Sequence, residues 1–104
     1  MNLLKELSEW HKSQCDELWE HRYGVSIQTL DNPGWFVKID LVGTPLENVG
    51  FTKQTFNTES QDSTDENDWY ITEIKDSQFQ GAGGPDKLEL ILTIFLNWAK
   101  DVDS

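Results

Sequence analysis

The chain has 104 residues and a mass of 12.0 kDa, which suits a single domain over residues 1–104. Its 19 acidic and eight basic residues give a net charge of −11, which excludes a nucleic-acid-binding module, disfavours an anionic membrane surface and allows a basic protein partner. One cysteine excludes an internal disulfide, and the lack of a long apolar run or a signal-peptide pattern predicts a soluble, cytoplasmic protein.

The first predicted element is an amphipathic helix over residues 3–19. Apolar residues recur there at spacings of three and four, and most charged residues fall on the other side. The apolar stripe consists of Leu3, Leu7, Trp10 and Leu18, flanked by Leu4, His11 and Cys15. Tyr23-Gly24 then provides a stop, because glycine readily adopts the left-handed conformation that follows many helices.

A β-hairpin is the clearest local signal in the chain. Apolar residues alternate with polar ones over residues 25–30 and again over residues 35–41, as they do in half-buried strands. Asp31-Asn32-Pro33-Gly34 joins the two runs. Pro33 fixes its own φ and Gly34 tolerates a positive φ, so the sequence predicts a type II turn with Trp35 packing inward.

Two further strands are predicted on either side of an acidic segment. The strands cover residues 51–57 and 69–75, and residues 59–68 between them contain five acidic residues, no basic residue and no apolar residue. A segment of this composition has no apolar surface to bury, so the sequence predicts the exposed, mobile loop of a long hairpin formed by the two strands.

The chain closes with a glycine-rich loop over residues 80–86 and a helix, with Pro85 in the first helical turn. A wide apolar stripe makes this helix the main core element: Leu88, Ile91, Leu92, Phe95, Trp98 and Ala99. The order α-β-β-β-β-α predicts an α+β fold, a four-stranded antiparallel sheet with the N- and C-terminal helices packed on one face.

Gly81, Gly83 and Gly84 raise the question of a phosphate-binding loop. Such a loop carries Lys and Ser or Thr at the start of its helix, whereas Asp86 and Glu89 stand there and would repel phosphate. The glycines therefore indicate a tight connection that lets a strand meet a helix.

Three residues allow an alternative in which the protein has a catalytic or metal-binding site. His11 and Cys15 are four residues apart and share a helical face, and His21 follows nearby. They could serve a small Cys/His-dependent enzyme or a metal-binding regulator. The spacing matches no zinc motif, and a position in the middle of a helix favours a Cys15 packed as a small hydrophobe against the C-terminal helix. The sequence thus predicts no catalytic residue, no cofactor and no metal site.

Several blocks of the chain resemble the immunity protein 53 family. They lie at residues 9–16, 19–24, 29–35, 39–41, 68–69, 79–83 and 94–99, and the Leu-Asp-Asn-Pro-Gly-Trp block at 30–35 is the most specific. The acidic stretch at 59–67 is not part of the pattern. The resemblance implies an immunity protein of a bacterial polymorphic toxin system: a small cytoplasmic antitoxin that binds and neutralises a cognate toxin without catalysis.

Charge and position select a toxin-binding surface for such a protein. We expect Asp62, Asp65, Glu66 and Asp68 to steer a basic toxin, such as a nuclease domain, towards the chain. Trp69 borders this acidic segment and is the expected apolar anchor, because tryptophan is a frequent interface anchor. The resemblance itself supplies no catalytic or toxin-binding residue.

Overall fold

The structure of the protein is a computed structural model that describes residues 2–31, 33–57 and 68–103. Within these residues the chain forms three helices and five strands. In chain order they are α1 (Leu3–Gln14), α2 (Trp19–Arg22), β1 (Val25–Leu30), β2 (Gly34–Asp40), β3 (Gln54–Phe56), β4 (Tyr70–Lys75), β5 (Gln78–Gly83) and α3 (Leu88–Asp103). None of the helices in the described part has the length and hydrophobicity that a membrane span requires.

The strands form one antiparallel sheet in the order β1-β2-β5-β4-β3. This confirms the predicted α+β fold with an antiparallel sheet and a helix at each end. The sheet has five strands and not the four predicted, because the segment predicted as a glycine-rich loop supplies the central strand β5. Asp76 and Ser77 connect β4 to β5 with φ values of 55° and 60°, as a two-residue hairpin turn with two left-handed residues requires.

The predicted first helix is interrupted after Gln14. The Asp16 carboxylate accepts hydrogen bonds from the backbone N–H groups of Leu18 (3.0 Å) and Trp19 (2.8 Å), which caps the short helix α2. These local bonds compete successfully with a continuous helix, so the prediction of a helix over residues 3–19 is wrong for its last turn.

The interruption changes which apolar residues reach the core. Leu18, predicted to lie on the apolar stripe, is 76% exposed. Trp19 is buried instead, and its indole N–H donates to the Val42 carbonyl over 2.8 Å.

The β1–β2 hairpin is confirmed, with a register that runs from Val25 opposite Ile39 to Leu30 opposite Gly34. The predicted type II turn is wrong in one respect, because Gly34 begins β2 and its φ is not positive. Glycine is needed there for space: a Cβ on Gly34 would lie 2.3 Å from the Gly83 carbonyl oxygen of β5. Asn32, at the tip, lies outside the described residues.

The core lies between one face of the sheet and the helices α1 and α3, as predicted. Its centre consists of fully buried side chains from β2, β5 and α3: Val37, Ile39, Phe79, Ile91 and Phe95. Within the predicted α3 stripe Ile91, Leu92, Phe95 and Ala99 are buried, whereas Leu88 and Trp98 pack at its edge.

Two boundaries differ from the sequence prediction. β3 is shorter than predicted, because Phe51 leaves the sheet and its ring packs edge-on against Phe79 and Trp98, with centroids 5.6 Å and 5.1 Å away. Pro85 precedes α3 and does not form its first turn, since the helix begins at Leu88.

Candidate functional site

The start of β4 carries the two described members of the predicted binding set, Asp68 and Trp69. Both are half-buried. Asp62, Asp65 and Glu66 lie outside the described residues. The described part of the site is the end of the sheet at which β4 begins.

Asp68 is held in place by two contacts. Its carboxylate lies 2.6 Å from the Lys87 ammonium, which also lies 3.7 Å from the Asp86 carboxylate. Its backbone carbonyl accepts a hydrogen bond from the Asn57 side-chain amide over 2.9 Å. The Lys87 side chain is only 17% exposed, so this ion pair joins the end of the acidic segment to the connection before α3 and neutralises much of the charge of Asp68.

The backbone of Trp69 is fixed to the same connection. The Gly84 N–H donates to the Trp69 carbonyl over 3.0 Å. A Cβ on Gly83 would lie 3.0 Å from that oxygen and 2.8 Å from the Lys87 Cβ. The absence of a side chain at Gly83 therefore lets the end of β5, the start of β4 and the connection before α3 approach one another closely.

The start of β2 joins this group through Trp35. The Trp35 indole N–H donates to the Pro85 carbonyl over 2.9 Å, and the residue is half-buried. Trp35 does not belong to the core cluster or to the residues packed against it, so its predicted inward packing is not confirmed.

The strand register adds two aromatic residues that sequence reasoning did not select. Gly83 pairs with both Trp35 and Tyr70, and Tyr70 pairs with Phe56 across the neighbouring strands. Phe56 and Tyr70 stack with ring centroids 5.8 Å apart, and Phe56 is 46% exposed. We call Trp35, Phe56, Trp69 and Tyr70 the aromatic end of the sheet.

The aromatic end is composed of side chains that protein interfaces favour. Aromatic side chains provide large contact areas at small entropic cost and are enriched in protein interfaces. The sequence signal for Phe56 and Tyr70 was weak, because their pairing depends on a register across a connection of more than ten residues.

The alternative thiol site is only partly assembled. Cys15 caps the end of α1, and its Sγ lies 3.3 Å from the His11 carbonyl and 4.0 Å from the His11 Nδ1. His21 lies on α2 and is exposed. Cys15 is half-buried at the end of α1, so the prediction that it is buried in the middle of a helix is wrong.

The surroundings of Cys15 do not activate its thiol. Desolvation and the carboxylates of Glu20 and Asp16 raise the pKa of the Cys15 thiol, which favours the protonated form. A reactive cysteine requires the opposite shift. Among residues 2–31, 33–57 and 68–103, no three His, Cys, Asp or Glu side chains are grouped so that they could hold a metal ion.

The family model described as immunity protein 53 matches residues 4–100, from α1 to α3. The chain belongs to the immunity protein 53 family. Comparisons with curated proteins and with solved structures gave no match. The immunity protein 53 match includes the aromatic end and the hairpin block at 30–35, and it confirms the resemblance.

Proposed function

We propose that this protein is the antitoxin of a bacterial polymorphic toxin system, which binds a cognate toxin in the cytoplasm and blocks it by direct contact without catalysis. The observation that carries this proposal is the immunity protein 53 match over residues 4–100. The net charge of −11 and the lack of an activated nucleophile at Cys15 support an inhibitory binding role.

The proposed toxin-binding surface combines the acidic segment with the aromatic end. Because Lys87 forms an ion pair with Asp68, we assign the steering of a basic toxin chiefly to Asp62, Asp65 and Glu66, and the short-range contact to the aromatic end with Trp69 as the anchor. A basic nuclease domain is the toxin class that this charge fits best.

The direct test is protection of a cell that produces the toxin. The toxin encoded next to this protein is expressed with and without it, and the purified pair is examined for complex formation. We expect survival only when both are present, and a complex of the two chains. A toxin that kills equally in both cases, and that forms no complex at micromolar concentrations, would contradict the antitoxin function.

Trp69→Ala tests the anchor. Removing a partly desolvated aromatic contact acts mainly on dissociation, so we expect the dissociation rate from the toxin to rise at least about tenfold. Leu18→Ala is the matched control, because Leu18 is an exposed apolar residue away from the aromatic end. Equal dissociation rates for the Trp69→Ala and Leu18→Ala proteins would show that Trp69 is not the anchor.

Cys15→Ala separates the antitoxin from the thiol enzyme. Blocking by contact needs no thiol, so the folded variant should neutralise the toxin as the natural protein does. Loss of neutralisation by a folded Cys15→Ala protein, with toxin binding retained, would establish thiol chemistry instead.

A further inference from the structure

The two edge strands of the sheet, β1 and β3, differ in how well they are protected against pairing with a strand of another chain. The β3 edge is three residues long, and Lys53 precedes it and forms an ion pair with Glu73 over 3.9 Å. The β1 edge is six residues long and contains no charged residue and no proline. Short length and edge lysines are common means of preventing strand addition, and β1 has neither.

The hydrogen-bond ladder identifies the backbone groups that β1 offers at this edge. The Asp40 N–H donates to the Gly24 carbonyl over 3.0 Å, and the register places Gly24 opposite Asp40. In an antiparallel ladder alternate residues point to the same side, so Val25, Ile27 and Thr29 direct their N–H and carbonyl groups outward. In the described part of the chain no strand lies beside them.

β1 and the cleft beside it carry no carboxylate; the nearest acidic residues along the two strands are Asp31, after β1, and Asp40, opposite Gly24. A cleft of about 300 Å³ between α1 and β1 is lined by Leu7, Ser8, His11 and Val25, none of which is a carboxylate. Ile27 is 37% exposed. Two chains that each carry −11 repel one another, so a self-contact is favoured where carboxylates are absent.

We propose that β1 pairs with β1 of a second copy of this chain, antiparallel about a two-fold axis at Ile27. This register places Ile27 opposite Ile27 and Val25 opposite Thr29, which makes three hydrogen-bonded pairs from the outward-facing groups of the two strands. In this register each pair of opposed residues points to the same face of the sheet. The helices of both copies therefore lie on one side of the combined sheet. The dimer is independent of the antitoxin role, which a monomer could perform equally.

The first test is the mass of the intact protein in solution. Analytical ultracentrifugation should show the mass rising from that of one chain, 12.0 kDa, towards twice that value as concentration increases. Ile27→Lys places a charge at the centre of the contact and should weaken the dimer at least about tenfold. Thr55→Lys, on the opposite edge strand β3, is the matched control and should leave the dimer unchanged.

The second test reads the register. In a Cys15→Ala background, Ile27→Cys should form an intermolecular disulfide under mild oxidation, because the Cα atoms of a hydrogen-bonded antiparallel pair lie about 5.5 Å apart. In this register Gln28 lies opposite Ser26 of the second copy and not opposite Gln28. Two Gln28→Cys side chains should therefore cross-link poorly.

Three results would overturn the proposal: a single-chain mass up to about 1 mM, a dimer that Ile27→Lys does not weaken, or equal cross-linking at positions 27 and 28. If the protein is monomeric and Ile27→Lys abolishes toxin binding, the β1 edge receives a strand of the toxin instead of a second copy.

Discussion

At the scale of single residues, two buried threonines have opposite hydrogen-bonding environments. The Thr72 hydroxyl on β4 is fully buried and has no hydrogen-bond partner within the described part of the protein. The Thr44 hydroxyl, also buried, donates to the Leu41 carbonyl over 2.8 Å and accepts from the Leu46 N–H over 3.1 Å. An unsatisfied buried hydroxyl costs free energy of folding, whereas a satisfied one stabilises its loop.

We therefore expect Thr72→Val to raise the free energy of unfolding by about 1 kcal/mol, because it removes the unpaired hydroxyl and nearly keeps the shape. Thr44→Val, the matched control, should lower the same quantity by about 1 kcal/mol or more. Urea unfolding at neutral pH measures both. A Thr72→Val protein less stable than the natural one would show that the hydroxyl is paired in solution.

Gly34 and Gly24 provide a second comparison at this scale. Neither has a positive φ, but a Cβ on Gly34 would collide with the Gly83 backbone, whereas a Cβ on Gly24 would meet nothing within 4 Å. Gly34→Ala should lower the free energy of unfolding by about 1–3 kcal/mol, because a backbone atom cannot move aside as a side chain can.

Gly24→Ala should be neutral or stabilise by up to about 1 kcal/mol, because it restricts only the unfolded chain. Thermal and urea unfolding of both variants test the pair. Equal stabilities would indicate that β2 and β5 separate enough at this point to accept a side chain.

At the scale of elements, the break between α1 and α2 depends on two carboxylates. Asp16 caps the backbone of Leu18 and Trp19, and Glu20 accepts from the N–H groups of Asp16 and Glu17 over 3.0 Å. Backbone hydrogen bonds lower the pKa of both carboxyl groups in the folded protein: those from Trp19 and Leu18 for Asp16, and for Glu20 first that from its own backbone and then those from Asp16 and Glu17. A lowered folded pKa means that the stabilisation is present above the unfolded pKa of about 4 and is lost as pH falls through the folded value.

Glu20→Gln should consequently lower the melting temperature at pH 7, and the difference from the natural protein should shrink below about pH 4. Glu17→Gln is the control in the same segment, because the Glu17 side chain accepts no hydrogen bond within the described residues. Melting curves between pH 7 and pH 2 provide the measurement. A difference that does not depend on pH would assign the effect of Glu20 to packing.

The element that sequence reasoning missed is β5. Its sequence, QFQGAG, has low strand propensity and a single large apolar residue, Phe79, so local pattern predicts a loop. Pairing with β2 on one side and β4 on the other overrides that preference, and the close approach of Ile91 to Gly81 seats α3 on the strand. A Cβ on Gly81 would lie 2.5 Å from the Ile91 Cγ2, which gives the glycine a packing role that the sequence indicated only as a strand–helix connection.

At the scale of the whole molecule, the uneven charge is the basis of the steering proposal. Residues 59–104 contain 11 acidic and three basic residues. Replacing Asp62, Asp65 and Glu66 by Asn, Asn and Gln should slow association with a basic toxin several-fold at low salt and flatten its salt dependence, with little change in dissociation.

Binding kinetics at two or more salt concentrations measure this effect. The control replaces Glu17, Glu47 and Asp76 by Gln, Gln and Asn, which removes the same charge from residues outside both the acidic segment and the aromatic end. An identical loss of association rate in both triple variants would assign steering to net charge alone, and no loss in either would contradict steering altogether.

The sequence by itself determined the features that depend on local period and composition. Alternation fixed the β1–β2 hairpin, the three-and-four spacing fixed the buried stripe of α3, and the residue blocks identified the immunity protein 53 family. The helix break at Asp16 was local too, but a continuous apolar spacing concealed it, because a single capping carboxylate leaves little trace in a periodic pattern.

The tertiary structure decided what depends on partners far apart in the chain. It made a glutamine- and glycine-containing segment the central strand, brought Phe56 against Tyr70, and left β1 as an unprotected edge. Strand order and register are set by the sum of long-range pairings and burial, to which each short segment contributes only a part. The composition of a segment therefore predicts whether it is able to form a strand, and the rest of the fold decides where that strand lies and which groups it leaves open for binding.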